Sequence, residues 1–138
     1  MATILIVDDD QLLVRMYQKK LENDGYIVIT AEDGVKALEK IAEFIPDLIL
    51  LDIMMPRLNG LELLKKLKLT EQTKNIPVIL LTNVGASEED SQRGLELVAV
   101  AYIVKASNRP AEVVTKIKEI LAGYVHEPPQ VRSSIQLE

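Results

Sequence analysis

The 138 residues contain no cysteine and a single histidine, His126. Thiol nucleophiles, disulfides, cysteine-ligated zinc and iron–sulfur clusters are therefore excluded, and a multi-histidine metal site lacks its ligands. Chemistry has to come from carboxylates, hydroxyls and amines. Four short apolar runs end on such groups. Residues 4–7 lead into Asp8, Asp9 and Asp10, 48–51 into Asp52, 78–81 into Thr82, and 101–104 into Lys105. Clustered carboxylates repel one another unless a cation intervenes. A hard divalent ion with oxygen ligands suits them, and Mg²⁺ characteristically takes one or two carboxylates, waters and a phosphate. A carboxylate in such surroundings can attack a phosphoryl group and form an acyl phosphate. That reaction needs in-line positioning and neutralisation of charge more than anything else. Asp52, Lys105 and Thr82 would supply nucleophile, cation and hydroxyl.

These groups converge only if the runs before them are neighbouring strands. The runs 4–7, 27–29, 48–51, 78–81 and 101–104 are short, rich in Val, Ile and Leu, and mostly uninterrupted. Such runs suit strands covered on both faces, as in a parallel sheet. Helical patterns lie between them. Leu13, Tyr17 and Leu21 recur every four residues, joined by Leu12 and Met16, and Gly25 stands where a helix C-terminal glycine belongs. Val35, Leu38, Ile41 and Ala42 form a second stripe. Leu61, Leu64 and Leu67 form a third, with Lys65, Lys66 and Lys68 off it. Ser87 and Asp90 have helix-start spacing, and Leu95 and Val98 continue that pattern. Val113, Val114, Ile117, Ile120 and Leu121 make the last stripe, with Pro110 near its first turn. Strand and helix thus alternate five times. That order predicts a doubly wound α/β fold with a five-stranded parallel sheet, five helices on its two faces and right-handed crossovers. Ligands of such sheets sit beyond the carboxyl ends of the strands, where the acids fall.

Composition narrows the function further. The net charge is −5 and aromatic residues make up 4%. An acidic, aromatic-poor domain is a poor direct ligand of nucleic acid. The longest uncharged run, 75–87, has 13 residues, short of the roughly 20 needed to span a bilayer. Residues 4–7 lack a basic leader and are too short for a signal peptide, so the cytoplasm is expected. Residues 1–124 read as one domain. Residues 125–138 carry two prolines and no period, and read as a tail or linker.

The four strand-end pieces together resemble the receiver domain of bacterial response regulators, the chemotaxis-receiver-like modules of two-component signalling. They are 4–10, ending in the three aspartates; 46–56 from Pro46 through Asp52 to Pro56, with Gly60 beyond; 76–82; and 102–105. The resemblance covers about Thr3 to Tyr124. It implies a flavodoxin-like sheet of strand order 2-1-3-4-5. It also implies that Asp52 is the phosphoacceptor, and that Asp8, Asp9 and Asp52 bind Mg²⁺ with the backbone carbonyl of Met54. Thr82 and Lys105 would contact the phosphoryl oxygens, and Tyr102 would turn inward when Thr82 moves. Asp10 more naturally starts the first helix. The implied donor is a sensor histidine kinase or a phosphotransfer protein. The implied output is a protein-binding face over about residues 87–124, with a phosphorylation-dependent dimer as one form of it. A receiver is a phosphoprotein and not an enzyme in its own right, although self-phosphorylation from small donors and self-dephosphorylation come with the chemistry. This chain departs from the family at Ala106, where proline usually follows the lysine, and at Asn83, where Ala or Gly is usual. The positions two after the acceptor and two after the threonine are Met54 and Val84, both apolar, which implies slow loss of the phosphoryl group.

Three other readings compete. A Mg²⁺-dependent phosphohydrolase of the haloacid-dehalogenase type would use Asp8 and Asp10 as nucleophile and acid, but Gln11 and Leu12 follow in place of a Gly-Thr-like pair. A flavin carrier on the same fold would need a hydroxyl- and glycine-rich loop after the first strand, and three acids there repel a phosphate. A phosphorylation-independent receiver-like binding module has no need of Asp52 with Lys105.

Overall fold

A computed structural model describes residues 2–52, 60–82, 101–104 and 110–126. Its strands are β1 (Thr3–Val7), β2 (Ile27–Ala31), β3 (Leu48–Asp52), β4 (Val78–Thr82) and β5 (Ala101–Val104). Between and after them lie α1 (Gln11–Asn23), α2 (Gly34–Glu43), α3 (Gly60–Leu69) and α4 (Pro110–His126). All strand pairs are parallel, and the sheet order is β2-β1-β3-β4-β5. The helix expected around Ser87 to Val98 lies outside the described residues, so four helices are described.

The unbroken apolar runs follow from burial on both faces. Leu5, Val7, Ile49, Leu51, Val78 and Leu80 face one core with Ala37 and Ile41 of α2 and Leu63, Leu64 and Leu67 of α3. Their neighbours in sequence, Ile4, Ile6, Leu48, Leu50, Ile79 and Leu81, face the other with Val14, Tyr17 and Leu21 of α1 and Val113, Val114 and Ile117 of α4. Successive side chains point to opposite faces, so a strand covered twice has no polar position left.

α1 is closed at both ends. Asp10 is its N-cap, with Oδ1 accepting from Leu13 N at 3.2 Å, which satisfies one of the free amides of the first turn. At the other end Gly25 N donates to Glu22 O and Tyr26 N to Leu21 O, the paired bonds of a Schellman motif. Gly25 holds φ 94° there, a conformation that a β-carbon disfavours. Asp33 caps α2 in the same way as Asp10 caps α1, accepting from Lys36 N at 2.9 Å.

Two stripes sit differently from the expectation. Leu12 is 69% exposed and Met16 40%, because the inward line of α1 runs through Val14, Tyr17 and Leu21 at spacings of three and four. In α2 the inward line is Gly34, Ala37 and Ile41, leaving Val35 and Ala42 outside. α4 continues to His126, two residues into the stretch read as a tail. Gly123 lies inside this helix and does not end it, and the first proline beyond it is Pro128.

Candidate functional site

β1 and β3 are adjacent, with Val7 opposite Leu51, so the next residues, Asp8 just past β1 and Asp52 at the end of β3, stand side by side. By alternation both follow the Ile4/Ile6 and Leu48/Leu50 side, the face that α1 and α4 cover. Asp8 N donates to Ala31 O at 3.1 Å and carries the ladder with β2 one step past the strand. This is where the chain reverses its direction of travel across the sheet, the crevice in which doubly wound folds bind ligands.

Asp8 and Asp52 are buried, and Asp9 is exposed at the rim. One carboxylate oxygen from each of the three lies within 4.8 Å of the others. Asp8 Oδ1 also accepts from Asp10 N at 2.9 Å, which fixes the turn leading into α1. Asp10 itself points its carboxylate at the helix and is not in the group of three. An Asp8/Asp10 nucleophile–acid pair, as a haloacid-dehalogenase-type enzyme needs, therefore has no support in the geometry. The three oxygens match a hard divalent cation: two come from carboxylates held away from water, and the third from one open to it. The donor set fits the ion that the sequence implies.

Thr82 closes β4 opposite Val104, and Tyr102 stands opposite Leu80. Leu81 is the partner of Asp52, so Thr82 lies one step beyond the acid, at the same edge. The side chains of Thr82 and Tyr102, and the whole of Met54 and Lys105, fall outside the described residues. So does the Lys105–Ala106 bond.

The sequence reading missed a role for Tyr17, taken there only as part of a stripe. Its ring is buried beneath the acids, and its phenol is pushed up to about 12, first by burial and then by Asp8, Asp10 and Asp52. The field of the acidic edge thus reaches the core below it. A tyrosine on a core line six residues or more from the acids gives no sequence signal of this, because only folding brings it near.

The sheet order, the two covered faces and three carboxylates at the β1/β3 crevice define a signalling-receiver architecture. The pattern of the response regulator receiver domain matches residues 4–118, and the chain belongs to that family. Among its relatives is the alkaline phosphatase synthesis transcriptional regulatory protein PhoP of Bacillus subtilis, 44% identical over 118 residues that cover 86% of this chain and 48% of PhoP. The transcriptional regulatory protein CpxR of Escherichia coli is 47% identical over 121 residues, 88% of this chain and 50% of CpxR. A CheY-like receiver domain protein from Methanospirillum hungatei superposes with a TM-score of 0.83 at 35% identity, covering 92% of this chain and 98% of that one. The chemotaxis protein CheY4 of Vibrio cholerae gives 0.78 at 32%, covering 87% and 98%. The chain spans about half the length of the curated relatives it matches. Those relatives are named as transcriptional regulators, so the expected exclusion of nucleic acid finds no support in them. The acidic composition speaks only for the segment that carries it. Among the described residues no helix is long and apolar enough to cross a membrane.

Proposed function

We propose that this receiver accepts a phosphoryl group on Asp52 and passes the change to a protein-binding face. The observation that carries the reading is the placement of Asp52 beside Asp8 and Asp9 at the β1/β3 crevice. A carboxylate oxygen of Asp52 attacks phosphorus, the bond from phosphorus to the donor breaks, and an acyl phosphate forms. Asp8, Asp9 and Asp52, with the Met54 carbonyl, would hold Mg²⁺. When bound, that ion supplies positive charge against the carboxylates and the phosphoryl oxygens. Lys105 and Thr82 contact those oxygens, and Thr82 with Tyr102 relays the change to the face over about 87–124. The donors are a sensor histidine kinase or phosphotransfer protein, and small acyl phosphates in their place. A phosphorylation-dependent dimer and attachment to a further domain are two forms the output takes. The receiver, read as residues 1–124, carries α4 two residues further to His126; a further helix is expected over about Ser87 to Val98, the compartment is the cytoplasm, and the remaining residues are a tail or linker.

The test is incubation with acetyl phosphate and Mg²⁺, followed by intact-mass detection. One acid-stable, base-labile phosphoryl group is expected on Asp52. Unchanged labelling of Asp52→Asn, with the label mapped elsewhere, refutes the assignment. Labelling that survives EDTA refutes the metal.

A further inference from the structure

α2 turns Gly34, Ala37 and Ile41 to the core. Its opposite side carries four exposed charges in the order Lys36, Glu39, Lys40, Glu43. Spacings of three and four residues put them on one line along the helix, with like charges one turn apart: Lys36 beside Lys40, and Glu39 beside Glu43. Like charges at that spacing work mildly against the helix that carries them. None of the four is in an ion pair with a described residue. An exposed apolar side chain stands at each end of the line, Val35 in the first turn and Phe44 at the C-cap. Phe44 N donates to Lys40 O at 2.9 Å, which holds that residue against the helix end.

The line is complementary to its own reverse. About the midpoint between Glu39 and Lys40, Lys36 changes places with Glu43, Glu39 with Lys40, and Val35 with Phe44. With a rise of about 1.5 Å per residue, Lys36 of one helix and Glu43 of an antiparallel one stand at the same height, about 5 Å from the centre. Every cation then meets an anion, and each like pair gains an opposite charge across from it. The neighbouring helix on the same face of the sheet, α3, lacks this balance, because it carries Lys65, Lys66 and Lys68 against Glu62 alone.

We propose that the outer face of α2 is a pairing surface for a second copy of this chain, the two helices running antiparallel about a two-fold axis between Glu39 and Lys40. The contact uses the same patch on both copies and closes on itself, so it makes a dimer and not a fibre. Two ten-residue helices cover far less than the roughly 1,200–2,000 Å² of a stable complex, and exposed ion pairs contribute little each. The dimer is therefore weak, and salt weakens it further. α2 lies outside the 87–124 face and no phosphoryl group enters the contact, so the inference does not depend on the reading of Asp52.

The full, unphosphorylated chain is followed by sedimentation at millimolar concentration in low salt. A dimer is expected, and it dissociates as salt is raised. Lys36→Glu with Lys40→Glu makes the line wholly acidic, and Glu39→Lys with Glu43→Lys makes it wholly basic. Each variant alone is expected to be monomeric, and an equimolar mixture to form a heterodimer at least as readily as the parent forms its dimer. The single reversals Lys40→Glu and Glu39→Lys, expected to weaken the parent dimer severalfold, give the same reading if a double variant does not fold. A parent that stays monomeric overturns the proposal, as does a mixture that stays monomeric when both variants are folded. So does a dimer that persists in either variant alone, which would belong to another face.

Discussion

Asp9 and Asp10 are sequence neighbours with different tasks. Asp9 offers an oxygen to the group formed with Asp8 and Asp52, whereas Asp10 caps a helix. Asp9→Ala is expected to weaken Mg²⁺ binding and phosphoryl labelling together, as read by metal titration and intact mass. Asp10→Ala should cost about 1 kcal/mol of stability and leave labelling in place, because the bond to Asp8 Oδ1 comes from its backbone. Tyr17 gives a prediction in pH. Its folded pKa is raised to about 12, so the native state keeps the proton that the unfolded chain releases near pH 10. Stability present below about pH 10 should fall as pH rises to about 12, by on the order of 2–3 kcal/mol. Tyr17→Phe should remove that fall in urea unfolding at the two ends of the range; an undiminished fall would place the group elsewhere. The strand-end acids were legible because each terminates an apolar run. Tyr17 was not, because a stripe pattern sorts side chains into inside and outside only.

At the level of elements, pattern and outcome agree most closely where a strand is buried twice. β3 has all five residues buried, and its apolar run could hardly be read otherwise. β2 was expected to stop at Ile29 and continues through Thr30 and Ala31, because Ile6 and Val7 of β1 supply partners whatever the propensity of those two residues. The helix stripes were legible as helices, but their facing was off by part of a turn in α1 and α2, since adjacent apolar positions leave two lines to choose from. Chain reversal after α1 rests on Gly25. A β-carbon there meets no atom within 4 Å, so Gly25→Ala is opposed by the backbone alone. A loss of about 1–2 kcal/mol is expected, and Gly25→Asn should lose less, since asparagine visits this conformation more readily. Thermal unfolding of the two variants decides it; equal losses would remove the left-handed conformation as the cause.

Across the molecule, one sheet divides the described interior residues into two cores that share no side chain. Ile49 belongs to one and Ile117 to the other. Ile49→Val and Ile117→Val should each cost roughly 0.5–1.5 kcal/mol, and the double variant should equal their sum to within about 0.5 kcal/mol. A larger discrepancy in denaturant unfolding would mean that the sheet transmits repacking from one face to the other. The strand order has a further consequence during synthesis. The first strand made ends in the interior of the sheet, with β2 on one side, and β3, β4 and β5 then join in order of emergence on the other. Each new strand from the ribosome finds its edge already waiting, and no earlier pairing has to open to admit it. At each stage one edge stands uncovered as a sticky border, β1 until β3 arrives, β3 until β4 and β4 until β5. A nascent chain stalled before β5 has left the tunnel should be captured by chaperones and cleaved by protease, and one stalled after β5 is out should be the first to resist.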